Sequence, residues 1–199
     1  MIALETDQLV LRGFREGDAE DLFAYLQHPG ASCFLSTKLE DLAAARAEAI
    51  KRADSEDVFA IEHRESGRVI GEVFGHLEPP DTFSIAWQMN ADFAGQGFAL
   101  EAARAVMDHL FEARGIRRIY AYVETDNLPS QRLCMRLGMR QEGLFREFIS
   151  FETNDAGAPI YVDTLQFAIL KKEWRGGDAS LPSDTAKSVQ RGAEPLSFS

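Results

Sequence analysis

Two periodicities run along the chain, and the switches between them predict the order of elements. Leu9 and Leu11 fall on one side of an extended segment, with Val10 and Arg12 on the other. Asp18 supplies an N-cap, with Asp21 in the first turn, ahead of Leu22, Phe23 and Leu26; that helix stops before Pro29. Thr37 and Glu40 form a capping box for a second, alanine-rich helix over 39–53. The period then drops to two. VFAIEH and VIGEVFGHL read as a hairpin turning at Gly67, and after the turn Glu78–Asp81 the run TFSIAWQM reads as a third strand of the meander.

The helical period returns at 98–114, where Leu100, Ala103, Val106, Met107, Leu110 and Phe111 share one face, and Gly115 ends the helix. IRRIYAYVE is β-branched and aromatic, a strand. Residues 128–137 form a shorter helix with Asn127 as N-cap, Pro129 in its first turn and Gly138 as its stop. MRQEGLFREFISF and IYVDTLQFAIL are two long strands joined across Asn154–Gly157. The order β-α-α-β-β-β-α-β-α-β-β predicts an α/β (α+β) fold, a mixed, mostly antiparallel sheet flanked by helices. One domain is expected over 1–174. From Arg175 neither period survives and small polar residues dominate, so 175–199 is expected to be a disordered tail.

Composition narrows the classes. A formal net charge of −11 argues against nucleic acid as partner, because phosphate binding needs clustered Lys and Arg, and it favours cationic partners such as amines. No apolar run approaches the roughly 20 residues of a membrane span, so no membrane partner is expected. The opening MIALETDQLVLR lacks a basic region before an apolar stretch, so it does not read as a secretory signal. Cys33 and Cys134 are too few for a disulfide framework and lack metal-ligand spacing; a reducing cytoplasm and no metal are expected.

The candidate chemistry lies in Ala94-Gly95-Gln96-Gly97-Phe98-Ala99, between the third meander strand and a helix. Small residues at a helix N-terminus expose backbone N–H groups and the positive end of the dipole, a setting that suits a phosphate. A dinucleotide fingerprint would need glycine at position 100, which is Leu100, and a parallel βαβ setting; a Walker loop would need Gly-Lys-Ser/Thr. Neither occurs.

The run Asp92–Ala102 resembles the acetyl-CoA motif of the GNAT superfamily of N-acetyltransferases, Q/R-x-x-G-x-G/A. Gly97 and Ala99 match its small positions, and Ala94 stands where Gln or Arg is usual. Leu9–Arg12 with Arg15–Ala19, Asn127–Ser130 with Leu137–Met139, and Glu142-Gly143, Arg146, Asp163 and Lys172–Trp174 resemble the branch that includes ribosomal-protein alanine N-acetyltransferases. The resemblance implies a GNAT-like fold and acetyl transfer from acetyl-CoA to a primary amine, by direct attack in a ternary complex.

It also implies site residues. Pyrophosphate would sit on Ala94–Ala99, and the pantetheine arm on backbone groups near Gln88 and Met89, with Asn127 reaching it from the second wall. Asn127 is equally a plain N-cap. A backbone N–H near Met89 would polarise the thioester, and Ser130 would serve the departing thiolate as acid. Cys134 falls where many members carry an acid tyrosine, but its neighbours Leu133 and Leu137 favour a core position. The base is open. Ser84 occupies the position of the usual glutamate, leaving Glu72, His76, Glu124 and Glu142; Glu72 and His76 share a strand face, and Glu72 joins Ser130 and Met89 in the expected catalytic set. Trp87, Phe34, Phe59 and Phe83 are expected in the core. Two other functions are open to this sequence: a catalytically silent acyl-CoA-binding or regulatory domain, and an adaptor acting through its tail. The acceptor itself, whether a protein N-terminus, an aminoglycoside, a polyamine or a metabolite amine, would be selected by the early helices and the last two strands. Homodimers are common in the superfamily, and no residue here fixes that state.

Overall fold

A computed structural model describes residues 3–174, so the expected tail at 175–199 lies outside the described residues. Strands β1 (Leu4–Glu5), β2 (Leu9–Arg12), β3 (Val58–His63), β4 (Val69–Glu78), β5 (Thr82–Met89), β6 (Arg118–Glu124), β7 (Arg140–Thr153) and β8 (Pro159–Leu170) form one sheet in the order β1-β2-β3-β4-β5-β6-β8-β7. Helices α1 (Ala19–Leu26) and α2 (Leu42–Ala53) cover one face; α3 (Phe98–Glu112) and α4 (Leu128–Arg136) cover the other. Every neighbouring pair is antiparallel except β5 and β6.

The period-two pattern explains the two cores. In β3, Phe59 and Ile61 join Leu9, Leu11, Val73 and Ile85 beneath α3, while Ala60 faces Phe14, Leu22, Tyr25 and Leu26 under α1. The apolar stripe of α3 inserts Val106, Met107, Leu110 and Phe111 into the first core. The two-residue strand β1, too short to leave a pattern, was not expected from the sequence.

Three local expectations are corrected. The second helix starts at Leu42, because the Asp41 carboxylate accepts from Ala44 N–H at 2.7 Å. Thr37 instead closes a 3-10 turn over Ser32–Thr37, its hydroxyl donating to Phe34 O. Asp18 precedes α1 but does not cap it with its side chain. Its carboxylate is buried against the Arg12 guanidinium at 2.7 and 2.8 Å and also accepts from Arg15 N–H. A charged partner in a buried site outcompetes a neutral helix N–H. The Asn127 cap of α4, the turns at Gly67 and Asn154–Gly157, and the helix stops at Gly115 and Gly138 all fall where expected.

Candidate active site

Strands β5 and β6 pair only from Thr82 to Ser84 against Arg118 to Tyr120, yet β5 runs on to Met89 and β6 to Glu124. Beyond Ser84 the two strands splay. The opening is lined by Ile85–Trp87 on one side and Ala121–Glu124 on the other, and Asn127 and Ser130 of α4 and Cys33 and Phe34 of the 3-10 turn close its ends.

Strand geometry determines which backbone groups are free in it. Asn90 N–H donates to Ile70 O of β4, and in an extended strand the amides alternate. The amides of Gln88 and Ala86 therefore point to β4, that of Ile85 closes the β5–β6 ladder at Tyr120, and those of Met89 and Trp87 point to the side where β6 has parted. This corrects the expectation for Gln88, whose backbone belongs to the β4–β5 ladder opposite Glu72. Met89 ends β5 just before the turn into the glycine loop.

From Met89 the chain passes through buried Asn90, whose side chain accepts from Asp92 N–H, and a 3-10 turn to the glycine loop. Gly95 and Gly97 have φ of +77° and +92°, a region that a side chain strains. Leu100 and Glu101 donate to Gly97 O, so the N–H groups of Gly97, Phe98 and Ala99 precede the first helical bond. A methyl built at Gly95 or Gly97 would meet nothing within 4 Å: the space before these amides is open. Ala94, Gly95 and Gln96 are exposed, Phe98 is buried beneath, and the Gln96 side-chain amide donates to Asp92 O.

Ser130 N–H donates to Asn127 Oδ1, and Ser130 Oγ accepts from Trp87 Nε1 at 3.2 Å. The indole occupies one lone pair, leaving the hydroxyl hydrogen free to be donated. Trp87 is thus a core residue, as expected, that also orients a hydroxyl in the opening. A buried indole N–H needs a partner, but which one follows from a contact across 43 residues of sequence.

The structure separates the candidate bases. Glu72 does not line the opening: α2 covers that part of the sheet, and Arg52 is ion-paired with the buried Glu72 carboxylate. Burial pushes the Glu72 carboxyl up, and Arg52 pulls it the other way. The shared parity with His76 is real, but β4 leaves the cover of the helices between the two, and exposed His76 lies 3.4 Å from Glu78. Glu142 is held below the usual carboxylate range by hydrogen bonding to Arg118, and it also binds Arg140. Glu124 remains. It is 7% exposed and lines the opening. The Cys33 thiol beside it is pushed up to about 12, by burial and then by the Glu124 charge, and stays protonated. Thr164, directly across the ladder, has a buried hydroxyl with no partner among the described residues.

Cys134 is fully buried in the α3–α4 core, away from the lining of the opening, and burial pushes its thiol up to about 12. Phe59 and Phe83 are core residues, but Phe34 is half-buried at the opening, contrary to expectation. Among the described residues no His, Cys, Asp and Glu cluster could hold a metal ion, and no helix is long and apolar enough to cross a membrane.

The "Acetyltransferase (GNAT) domain" family model matches residues 8–140. The uncharacterized N-acetyltransferase YnaD of Bacillus subtilis (strain 168) is 28% identical over 173 residues, covering 86% of this chain and 98% of its own. A GNAT-family acetyltransferase from Bacillus anthracis superposes with a TM-score of 0.76 at 24% identity, over 86% of this chain and 100% of that one. RimL, a ribosomal L7/L12 alpha-N-protein acetyltransferase solved in complex with coenzyme A, superposes at 0.67 with 17% identity, over 85% of this chain and 98% of its own. The chain belongs to the GNAT family and is an acetyltransferase, with acetyl-CoA as the donor that this family uses.

Proposed function

We propose that this enzyme carries an acetyl group from acetyl-CoA directly to a primary amine, with both substrates meeting in the opening between β5 and β6. The observation that carries this reading is the convergence there of a donating hydroxyl (Ser130), a buried carboxylate (Glu124) and the strand β5 at Trp87, with Met89 two residues further along the same strand.

The amides of Gly97, Phe98 and Ala99, with the rest of Ala94–Ala99 around them, suit a pyrophosphate: the cradle is open and the helix dipole favours an anion. Backbone groups of Trp87 and Met89 bind the pantetheine as an added strand would, aided by Asn127. Met89 N–H bonds the carbonyl oxygen as negative charge develops on it. Glu124 takes the proton that the attacking nitrogen gives up. Ser130 passes its proton to the sulfur as the carbon–sulfur bond breaks, and the proton on Glu124 returns to Ser130 through water, so the count closes. Glu124 replaces Glu72 as base on burial and position.

Steady-state thiol release across a panel of amines tests the reading. Glu124→Gln should lower kcat by about 10²-fold, and Ser130→Ala should lower kcat more than it raises the KM for acetyl-CoA. Saturable acetyl-CoA binding with no turnover of any amine would favour a silent binding domain instead.

A further inference from the structure

The face of the sheet that carries Glu124 also carries three exposed aromatic rings. Tyr122, Phe145 and Phe148 are 43%, 36% and 46% exposed, yet they pack on one another with centroids 5.0 to 5.8 Å apart. Tyr122 is two residues from Glu124 on β6, so about 7 Å of strand separates them and both side chains project from the same face. Phe145 lies opposite Thr164, which lies opposite Glu124, so the three form one row across the sheet. Phe34 flanks the opening at the same level.

The cluster is held by a bulge. The β7–β8 register shifts between Phe145 and Ile149, and Glu147 there adopts a φ of +46°, a conformation that costs a non-glycine residue on the order of 1 kcal/mol. Asp163 fixes the bulge by accepting from Glu147 N–H at 2.8 Å and from Arg146 at 2.6 Å. The extra residues bring Phe148 round onto Tyr122.

The charges around the opening complete the specification. Among the described residues its lining holds the carboxylate of Glu124 and no Lys or Arg. Arg118, further down the same face, is occupied by Glu142, and Arg146 by Asp163. An ammonium is therefore welcome, and a carboxylate on the neighbouring carbon would meet Glu124 without a cation to neutralise it. Bare rings favour an apolar group over hydrated polar chains.

Building on the acetyl-transfer reading, we propose that the acceptor is a primary amine with an aromatic or bulky aliphatic group two or three carbons from the nitrogen and no carboxylate beside it. Its nitrogen lies against Glu124 and Thr164 and its apolar group against Tyr122, Phe145 and Phe148. A small amine and a peptide N-terminus with an apolar first residue share this chemistry.

Thiol release by the full-length enzyme at saturating acetyl-CoA tests it, with 2-phenylethylamine, ethylamine, spermidine, phenylalanine and phenylalaninamide as acceptors. The kcat/KM for 2-phenylethylamine should exceed those for ethylamine and spermidine by at least about tenfold, and that for phenylalaninamide should exceed phenylalanine by a similar factor. Phenylalaninamide above 2-phenylethylamine assigns the site to peptide N-termini; the reverse order assigns it to small amines. Phe148→Ala should abolish the preference over ethylamine by lowering kcat/KM for 2-phenylethylamine at least about tenfold, and Phe145→Ala provides the same test at a second ring. A preference for spermidine or free phenylalanine, or a preference untouched by both variants, overturns the proposal while leaving acetyl transfer intact. Failure of every amine despite saturable acetyl-CoA binding overturns acetyl transfer itself.

Discussion

At the scale of single residues, the site depends on polar groups whose partners leave one valence free. Ser130 accepts from the Trp87 indole and keeps its hydrogen; the buried Glu124 carboxylate lines the opening beside Cys33; Thr164 keeps its whole hydroxyl. Groups so held are oriented without being consumed, which is what a proton relay requires. Trp87 accordingly has a role beyond packing. Trp87→Phe keeps the ring in the core and removes only the indole N–H. We expect kcat to fall by about tenfold, equivalent to about 1.4 kcal/mol of lost orientation, with the KM for acetyl-CoA unchanged. Stopped-assay kinetics of the variant check this, and an unchanged kcat would separate the indole from the chemistry. These contacts join residues tens of positions apart, which is why local pattern did not single out Trp87, and why Glu124 stood level with Glu72, His76 and Glu142. What distinguishes the three carboxylates and the imidazole is their cover: Arg52 over Glu72, Arg118 over Glu142, exposure at His76, and an opening at Glu124.

At the scale of elements, the decisive event is the parting of β5 from β6. It occurs beside a close approach on the opposite edge of β5. A methyl at Gly75, whose register partner is Ile85, would overlap the Ser84 carbonyl oxygen and the Phe83 ring. Only glycine lets β4 lie this near to β5 at the level where the β5–β6 pairing ends. Gly75→Ala should destabilise the fold by about 3 kcal/mol, lowering Tm by roughly 10 °C, as read by thermal denaturation; a variant with wild-type Tm would mean the strands yield without strain. Elements with strong local signals were legible from the sequence: the amphipathic stripe of α3, the Asn127 cap with Pro129, and the glycine stops at Gly115 and Gly138. Boundaries with competing signals were not. Thr37 and Asp41 are both good caps, and the tertiary position of the 3-10 turn over Ser32–Thr37 selected Asp41. Asp18 was drawn away from its helix by Arg12, a partner on another element.

At the scale of the molecule, the splay acts as an aperture through the sheet. The glycine loop, α3 and α4 lie on one face, with Ser130 at the edge of the opening; Glu124, Tyr122 and the β7 aromatics lie on the other. Donor and acceptor can then approach the thioester from opposite sides, which suits direct transfer in a ternary complex without a covalent enzyme intermediate. The chain's charge of −11 suits a cationic acceptor approaching the open face, while phosphates on the proposed glycine-loop site would be held by backbone dipoles and would need no basic patch. That arrangement stands or falls with the glycine loop. Isothermal titration of acetyl-CoA into the wild-type chain and into Gly97→Asp tests it most directly, because the added carboxylate would occupy the space reserved for pyrophosphate. The account predicts saturable binding by the wild type and a loss of at least about 100-fold in the variant, equivalent to about 2.7 kcal/mol, with the variant still folded. An unchanged affinity in folded Gly97→Asp would contradict it.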